Sequence, residues 1–297
     1  MRSQEPQLAA YRLHTDDKRE AIPPSPAPEI YQRKPITLPS SLRKPSLRAY
    51  FDWDDSGNED YSKRPSLLDL FAGGGGAAMG YYLAGFRVTG VDIQPQPNYP
   101  FEFHRADALE FSLDRFDVVH ASPPCQKYSK LAHLTTRNTP ALIPELRGML
   151  FDAGKPFIIE NVVGAPLINP VVLCGTMFHL RTNCGASLQR HRLFETNWPL
   201  AALRCKHNGS PTIGIFGATP RNTALEKRHY SKKKDTRGHP PKGIVFPKKA
   251  AKKAMGIDWM TWSELKEAIP PVYTEFIGRQ LIQILNANRQ NSGKLNR

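Results

Sequence analysis

The sequence predicts an α/β protein built on a Rossmann-like sheet with helices on both faces, and three observations predict it. Short apolar runs at Ser66-Leu67-Leu68-Asp69-Leu70-Phe71, Phe86-Arg87-Val88-Thr89-Gly90-Val91, Phe116 to His120 and Pro156 to Ile159 read as buried strands. A glycine-rich turn, Ala72-Gly73-Gly74-Gly75-Gly76-Ala77-Ala78, follows the first run and leads into helix formers that stop at Gly85. An acid, Asp92, ends the second run about 20 residues past that turn, where Rossmann-like sites meet ribose hydroxyls.

Taken in order, the elements have separate justifications. Residues 1–64 contain eight prolines, mixed charges and no sustained periodicity, so a disordered tail is expected there. No apolar core follows Arg2, which argues against a secretory signal, and acids are too frequent for an organelle transit sequence. Residues 65–200 carry the strand and turn pattern. Glycines at the strand-to-helix turn let the backbone approach a ligand and tolerate positive φ. Turn and acid together fit a nicotinamide cofactor or S-adenosylmethionine equally well.

The third run ends in Pro123-Pro124-Cys125-Gln126. Two prolines stop a strand, because proline fixes φ and cannot donate to a ladder. Cys125 is therefore presented on a stiff loop at the carboxyl edge of the sheet, where open α/β sheets bind ligands. A lone cysteine is ordinarily a small buried hydrophobe. The fourth run ends in Glu160, whose plain alternative is a strand-end carboxylate at the surface. Arg190 and Arg192 stand just before a short strand, Leu193-Phe194-Glu195.

Asp69-Leu70-Phe71-Ala72-Gly73-Gly74-Gly75-Gly76, Ser122-Pro123-Pro124-Cys125-Gln126, Glu160-Asn161-Val162 and Gln189-Arg190-His191-Arg192-Leu193-Phe194, in this order, resemble the cytosine-5 DNA methyltransferase family. The resemblance covers roughly residues 65–200, with a weaker match near the C-terminus. It implies a methyltransferase-type sheet and a catalytic, S-adenosylmethionine-binding domain over 65–200. Cys125 would add as a thiolate to carbon 6 of a flipped cytosine, making carbon 5 nucleophilic enough to accept a methyl group. Its pKa would have to be lowered by nearby positive charge or backbone donors. Glu160 would meet the ring nitrogen and exocyclic amine, Arg192 the carbonyl oxygen, and Arg190 would orient the cysteine loop; guanidinium, a rigid donor fork of permanent charge, suits both tasks. Asp69, Phe71, Gly73 and Gly75 would line the cofactor site, Asp92 would bind its ribose and Asp107 its adenine. Asp107 could instead cap the segment that follows it. The family's glutamine position is occupied by Leu188, with Gln189 one place late.

The net charge of +14 suits a polyanionic partner, and its distribution is informative. Residues 201–254 hold 14 Lys and Arg against 2 Asp and Glu, so nearly all the excess lies in this segment. It is glycine-containing, expected to be irregular, and placed where the family keeps target recognition; Lys232, Lys233 and Lys234 are candidate phosphate contacts with double-stranded DNA. Residues 255–297 are helical in pattern. Thr261 caps one helix, Ile269-Pro270-Pro271 breaks the run, and Tyr273, Phe276, Ile277, Gln280, Leu281 and Ile284 recur at helical spacing.

The absence of an apolar run of roughly 18 residues argues against a membrane span. Four cysteines in 297 residues suit a reducing cytoplasm, bacterial or phage-infected, and a monomer is expected. Cys174, Cys184, Cys205 and His207 could gather zinc, but they lack a close Cys-x-x-Cys pair; buried thiols are the default and no metal ligand is assigned. The methyltransferase reading includes a place in restriction-modification. Its rivals are transfer of an altered S-adenosyl group, a DNA-binding relative without catalysis, and a nicotinamide oxidoreductase, which leaves the cysteine motif unexplained.

Overall fold

The computed structural model describes residues 61–124, 142–183, 185–207, 209, 211–216 and 247–295. Cys125, Gln126, Cys184 and Lys232 to Lys234 therefore lie outside the described residues, as does residues 1–60 of the expected tail.

Seven strands form one mixed sheet: β1 (Ser66–Leu70), β2 (Arg87–Asp92), β3 (Glu102–Arg105), β4 (Val118–Ala121), β5 (Phe157–Asn161), β6 (Val171–Leu173) and β7 (Arg192–Thr196). Their order is β3-β2-β1-β4-β5-β7-β6. The first five in that order run parallel, whereas β7 is antiparallel to both β5 and β6. Chain order reverses between β1 and β4, which makes their carboxyl ends the topological switch point of the sheet.

The central strands are buried along their whole length, as parallel strands covered on both faces must be. Alternation along β1 sends Leu67 to one apolar cluster and Leu68 with Leu70 to the other. Helices α1 (Gly76–Ala84) and α5 (Pro271–Leu295) cover the first face, and α2 (Ile143–Asp152) covers the second through Leu146 and Leu150. Helices thus lie on both faces, as the sequence pattern requires. Gly80 lets α1 and α5 approach closely, since a Cβ there would collide with the Pro271 carbonyl. The Thr274 hydroxyl donates across the same contact to the Ala77 carbonyl at 2.8 Å.

The expected boundaries hold within a residue or two at α1, β2 and β5. Glu160 lies inside β5, opposite Phe194, and not just past its end. β4 begins two residues later than the apolar run suggests and ends at Ala121. Within the segment expected to be a tail, Tyr61–Lys63 forms a 3-10 turn, and Arg64 stacks its guanidinium over the Tyr61 and Tyr82 rings.

The basic segment is not irregular throughout. Its last residues enter α3 (Lys248–Met255), so the expected boundary after Ala254 falls inside a helix. Ala250, Ala251, Ala254 and Met255 recur at helical spacing and pack with Ile213, Ile215, Met260 and Trp262 in a second small core. Beyond it come α4 (Trp262–Glu267) and α5, separated by the Ile269-Pro270-Pro271 step as expected. Tyr273, Ile277 and Leu281 are the fully buried stripe of α5. Among the described residues no helix is long and apolar enough to cross a membrane.

Candidate active site at the carboxyl edge of the parallel strands

Parallel pairing puts the ends of β1, β2, β4 and β5 along one edge, and each end carries one of the sequence motifs. The glycine turn follows β1, Asp92 closes β2, Pro123 and Pro124 follow β4, and Glu160 with Asn161 closes β5. Because β7 is antiparallel to β5, its first residue, Arg192, also lies at this edge.

The turn after β1 is held open by its backbone. Phe71, Gly73 and Gly75 all have positive φ, at 57°, 49° and 82°. Phe71 accepts this conformation against the usual preference of a residue with a Cβ, at a cost of roughly 1–3 kcal/mol. A Cβ on Gly75 would press against Pro100 and Tyr99, whereas the same position on Gly73 meets open space. The Gly73 N–H donates to Asp92 Oδ2 at 3.0 Å, and the Gln94 N–H donates to Oδ1 at 2.9 Å. Asp92 therefore ties the turn to β2 while each oxygen keeps a second lone pair for a ligand hydroxyl.

Asp69 is placed differently from the other cofactor candidates. Its side chain is buried and accepts a 3.3 Å hydrogen bond from the Tyr99 hydroxyl. Burial pushes its pKa well above the ordinary carboxylate range, the Tyr99 bond opposes this, and the charges of Asp92 and Glu160 add to the rise. Asp69 serves the interior beneath the turn. Asp107 is exposed, and its Oδ1 accepts from the Leu109 N–H at 2.9 Å. This is the capping alternative in its tighter form, a turn, because no helix follows.

Glu160 is 6% exposed, and Arg192 Nε lies 3.0 Å from its Oε1. That contact is an ion pair off the N–H direction, so Oε1 is buried without a hydrogen bond. Burial raises the Glu160 pKa, while Arg192, the Ser122 hydroxyl and Arg190 pull it down. Behind it runs a buried polar chain that was not recognised in the sequence. Tyr81 Oη is 2.9 Å from His120 Nδ1, and His120 Nε2 is 2.9 Å from Ser122 Oγ. Burial lowers the His120 pKa to about 3, so the imidazole is neutral and donates through one nitrogen only.

Asn161 is the second residue the sequence reasoning passed over. Fully buried, it donates from Nδ2 to the Pro123 carbonyl at 2.9 Å and accepts the Val162 N–H at 2.9 Å. It fastens Pro123, two residues before Cys125, to the strand that carries Glu160. Its place inside Glu160-Asn161-Val162 was the available signal. Ile93, beside Asp92, is a third: a large apolar side chain 58% exposed at the edge where ligands bind.

Arg190 takes φ of 26° and is fixed by its side chain. Nε donates to the Ala268 carbonyl at 2.9 Å, and the terminal nitrogen donates to Lys266 and Ala268 at 2.6 and 2.7 Å. These are the free carbonyls at the end of α4, where a cation also meets the negative end of the helix dipole. Arg190 thus anchors the β7 entrance to α4, a task the sequence did not suggest.

No family model matches the sequence, and no curated protein is significantly similar to it. Solved structures are similar in fold at low identity. A protein assigned as a DNA modification methyltransferase encoded within an Escherichia coli prophage is 15% identical, with a TM-score of 0.48, over 75% of this chain and 99% of its own. The Dnmt2 methyltransferase of S. pombe is also 15% identical, with a TM-score of 0.47, over 75% of this chain and 100% of its own. An RNA methyltransferase from Salinibacter ruber, solved with S-adenosyl-L-homocysteine, is 17% identical with a TM-score of 0.29, over 50% of this chain and 89% of its own. At these values the functional reading has to rest on the side chains.

Proposed function

We propose that this chain is an S-adenosylmethionine-dependent cytosine-5 methyltransferase acting on double-stranded DNA. One observation carries the proposal: the buried Glu160–Arg192 pair stands beside Asn161, which holds the carbonyl of Pro123, two residues before Cys125 in the sequence. A carboxyl and a guanidinium, both withdrawn from water, suit the polar edge of a pyrimidine brought to the thiol.

In this reading the Cys125 thiolate forms a bond to carbon 6 of an extruded cytosine. Glu160, whose pKa burial raises, would meet the ring nitrogen with a proton as charge moves there, and Arg192 would donate to the carbonyl oxygen. Bound S-adenosylmethionine would supply an electrophilic methyl group for carbon 5. Loss of the carbon-5 proton and expulsion of the thiolate then restore the ring. The glycine turn, Asp92 and the exposed Ile93 fit that cofactor: open space above Gly73, a carboxylate with spare lone pairs, and an apolar surface for a flat base. Lys232, Lys233 and Lys234, outside the described residues, remain the candidate phosphate contacts.

The test uses the full chain with labelled S-adenosylmethionine, mixed-sequence duplex DNA and, in parallel, a structured RNA, read by nucleoside mass spectrometry. 5-Methylcytosine in DNA, absent with Cys125→Ser while duplex binding persists, is the expected result. Product in RNA alone overturns the polymer assignment. A heavier adduct at carbon 5 points to an altered donor, and DNA binding without product points to an inactive relative.

A further inference from the structure

Two cysteines and two histidines outside this site converge past the carboxyl end of β6, the outermost strand of the sheet. β6 and β7 pair antiparallel with Leu173 opposite Arg192. One step beyond the ladder come Cys174 on one strand and His191 on the other. The Gly175 N–H donates to the Gln189 carbonyl at 2.9 Å and carries the pairing onward. The chain then returns after β7 and brings Cys205 and His207 to the same place. Cys174 Sγ lies 3.3 Å from His207 Nε2, and Cys205 Sγ lies 3.5 Å from His191 Nε2. All four ligand atoms fall within 4.8 Å of one another.

We propose that Cys174, His191, Cys205 and His207 bind one zinc ion. Bonds of about 2.3 Å to sulfur and about 2.0 Å to nitrogen at tetrahedral angles separate ligand atoms by roughly 3.3–3.8 Å, the scale seen here. Two thiolates with two imidazoles favour zinc over hard cations, which prefer oxygen. Four protein ligands leave no open position, so the ion is structural. The Thr176 hydroxyl supports the site from outside, 3.2 Å from Cys174 Sγ and accepting the Lys206 N–H at 3.2 Å. A pair of thiols alone would suggest a disulfide, but a disulfide has no use for two imidazoles at ligand distance. Cys205 and His207 are exposed, so the ion has a way in, and a chance cluster of core thiols does not describe them.

The consequence is a clip. Cys205 and His207 open the basic segment, and the ion joins them to the β6–β7 edge, fixing where that segment leaves the sheet. This inference stands whether or not the methyltransferase reading does. The sequence pointed to Cys174, Cys205 and His207; among the described residues the structure adds His191, and Cys184 lies outside them.

The full chain, purified without chelator, should carry roughly one zinc per chain by elemental analysis and native mass spectrometry. Cys205→Ser and His207→Ala, both at exposed positions, should each lower that to a small fraction, while Cys184→Ser keeps the metal. Cobalt exchanged into the wild type should give tetrahedral visible bands with thiolate charge transfer, which does not depend on any variant folding. Zinc retained by both site variants, zinc lost on replacing Cys184, absent cobalt bands, or a Cys174–Cys205 disulfide in metal-free protein would each overturn the proposal.

Discussion

The carboxyl edge of the parallel strands and the β6–β7 edge assemble chemistry in opposite ways. At the first, each strand end delivers the residue its own motif specifies, and Glu160 and Arg192 are withdrawn from water. At the second, one antiparallel register and one returning loop join four residues, two of them exposed, of which only His191 belongs to a sequence motif. The tripeptide Arg190-His191-Arg192 serves both. Successive side chains of an extended segment point opposite ways, so Arg192 faces Glu160 while His191 faces Cys205. Parallel edges gather sites from strand-end motifs, whereas this antiparallel edge adds His191 to three cysteine and histidine candidates through register.

Glu160→Gln gives the widest separation between the two regions. Glutamine keeps the volume and can still hydrogen-bond, but it holds no transferable proton. The expected loss in kcat is about 10²–10³-fold, with KM little changed and metal content untouched. Equal losses of metal and activity would mean the edges are one structural unit. The pH profile sharpens the assignment. Burial raises the Glu160 pKa, so the protonated form persists above the ordinary range and the rate falls as pH rises through the raised value. That limb should vanish in the variant.

His120 offers the next largest effect, on stability. Its folded pKa of about 3 lies below the unfolded value near 6.5, so only the unfolded state gains a proton between them. The stability is present above the unfolded pKa and is lost as pH falls towards the folded one. From pH 7 to pH 4 the wild type should lose on the order of 3 kcal/mol through this group. In urea denaturation, His120→Gln should lack that part of the acid slope. An unaltered slope would mean that water reaches the ring and that the Tyr81–His120–Ser122 chain is not sealed behind Glu160.

Much of the fold was legible because its signals are short and local. The glycine turn, the double proline after β4 and the Thr261 cap each act within a few residues. Glu160 and Arg192 were legible as motif members, although their ion pair needed β5 and β7 to be adjacent. Asn161 and His120 were not singled out, because a partner of each, Pro123 for Asn161 and Tyr81 for His120, is distant in sequence. His191 was hidden between two arginines that drew the attention, and its pairing with Cys174 depends on the register of three-residue β6. The helical end of the basic segment was missed because its four lysines mask an alanine face.

The smallest effect falls on the element between the two regions. At α4 the Glu264 N–H donates to Thr261 Oγ1 at 3.4 Å, and the Thr261 N–H donates to Glu264 Oε2 at 2.6 Å. Asn98 Nδ2 lies 3.0 Å from both Glu264 oxygens and ties this capping box to the loop after β2. The far end of α4 holds Arg190, whose neighbours His191 and Arg192 belong to the two clusters. Thr261→Ala removes the N-cap and should cost about 1 kcal/mol in thermal or urea unfolding. If α4 is a platform held by Trp262 and Leu265 in the second core, kcat and bound zinc should each change by no more than about twofold. A larger fall in both would show that the end carbonyls of α4, through Arg190, set the position of the whole tripeptide, and that the two edges are coupled at one residue.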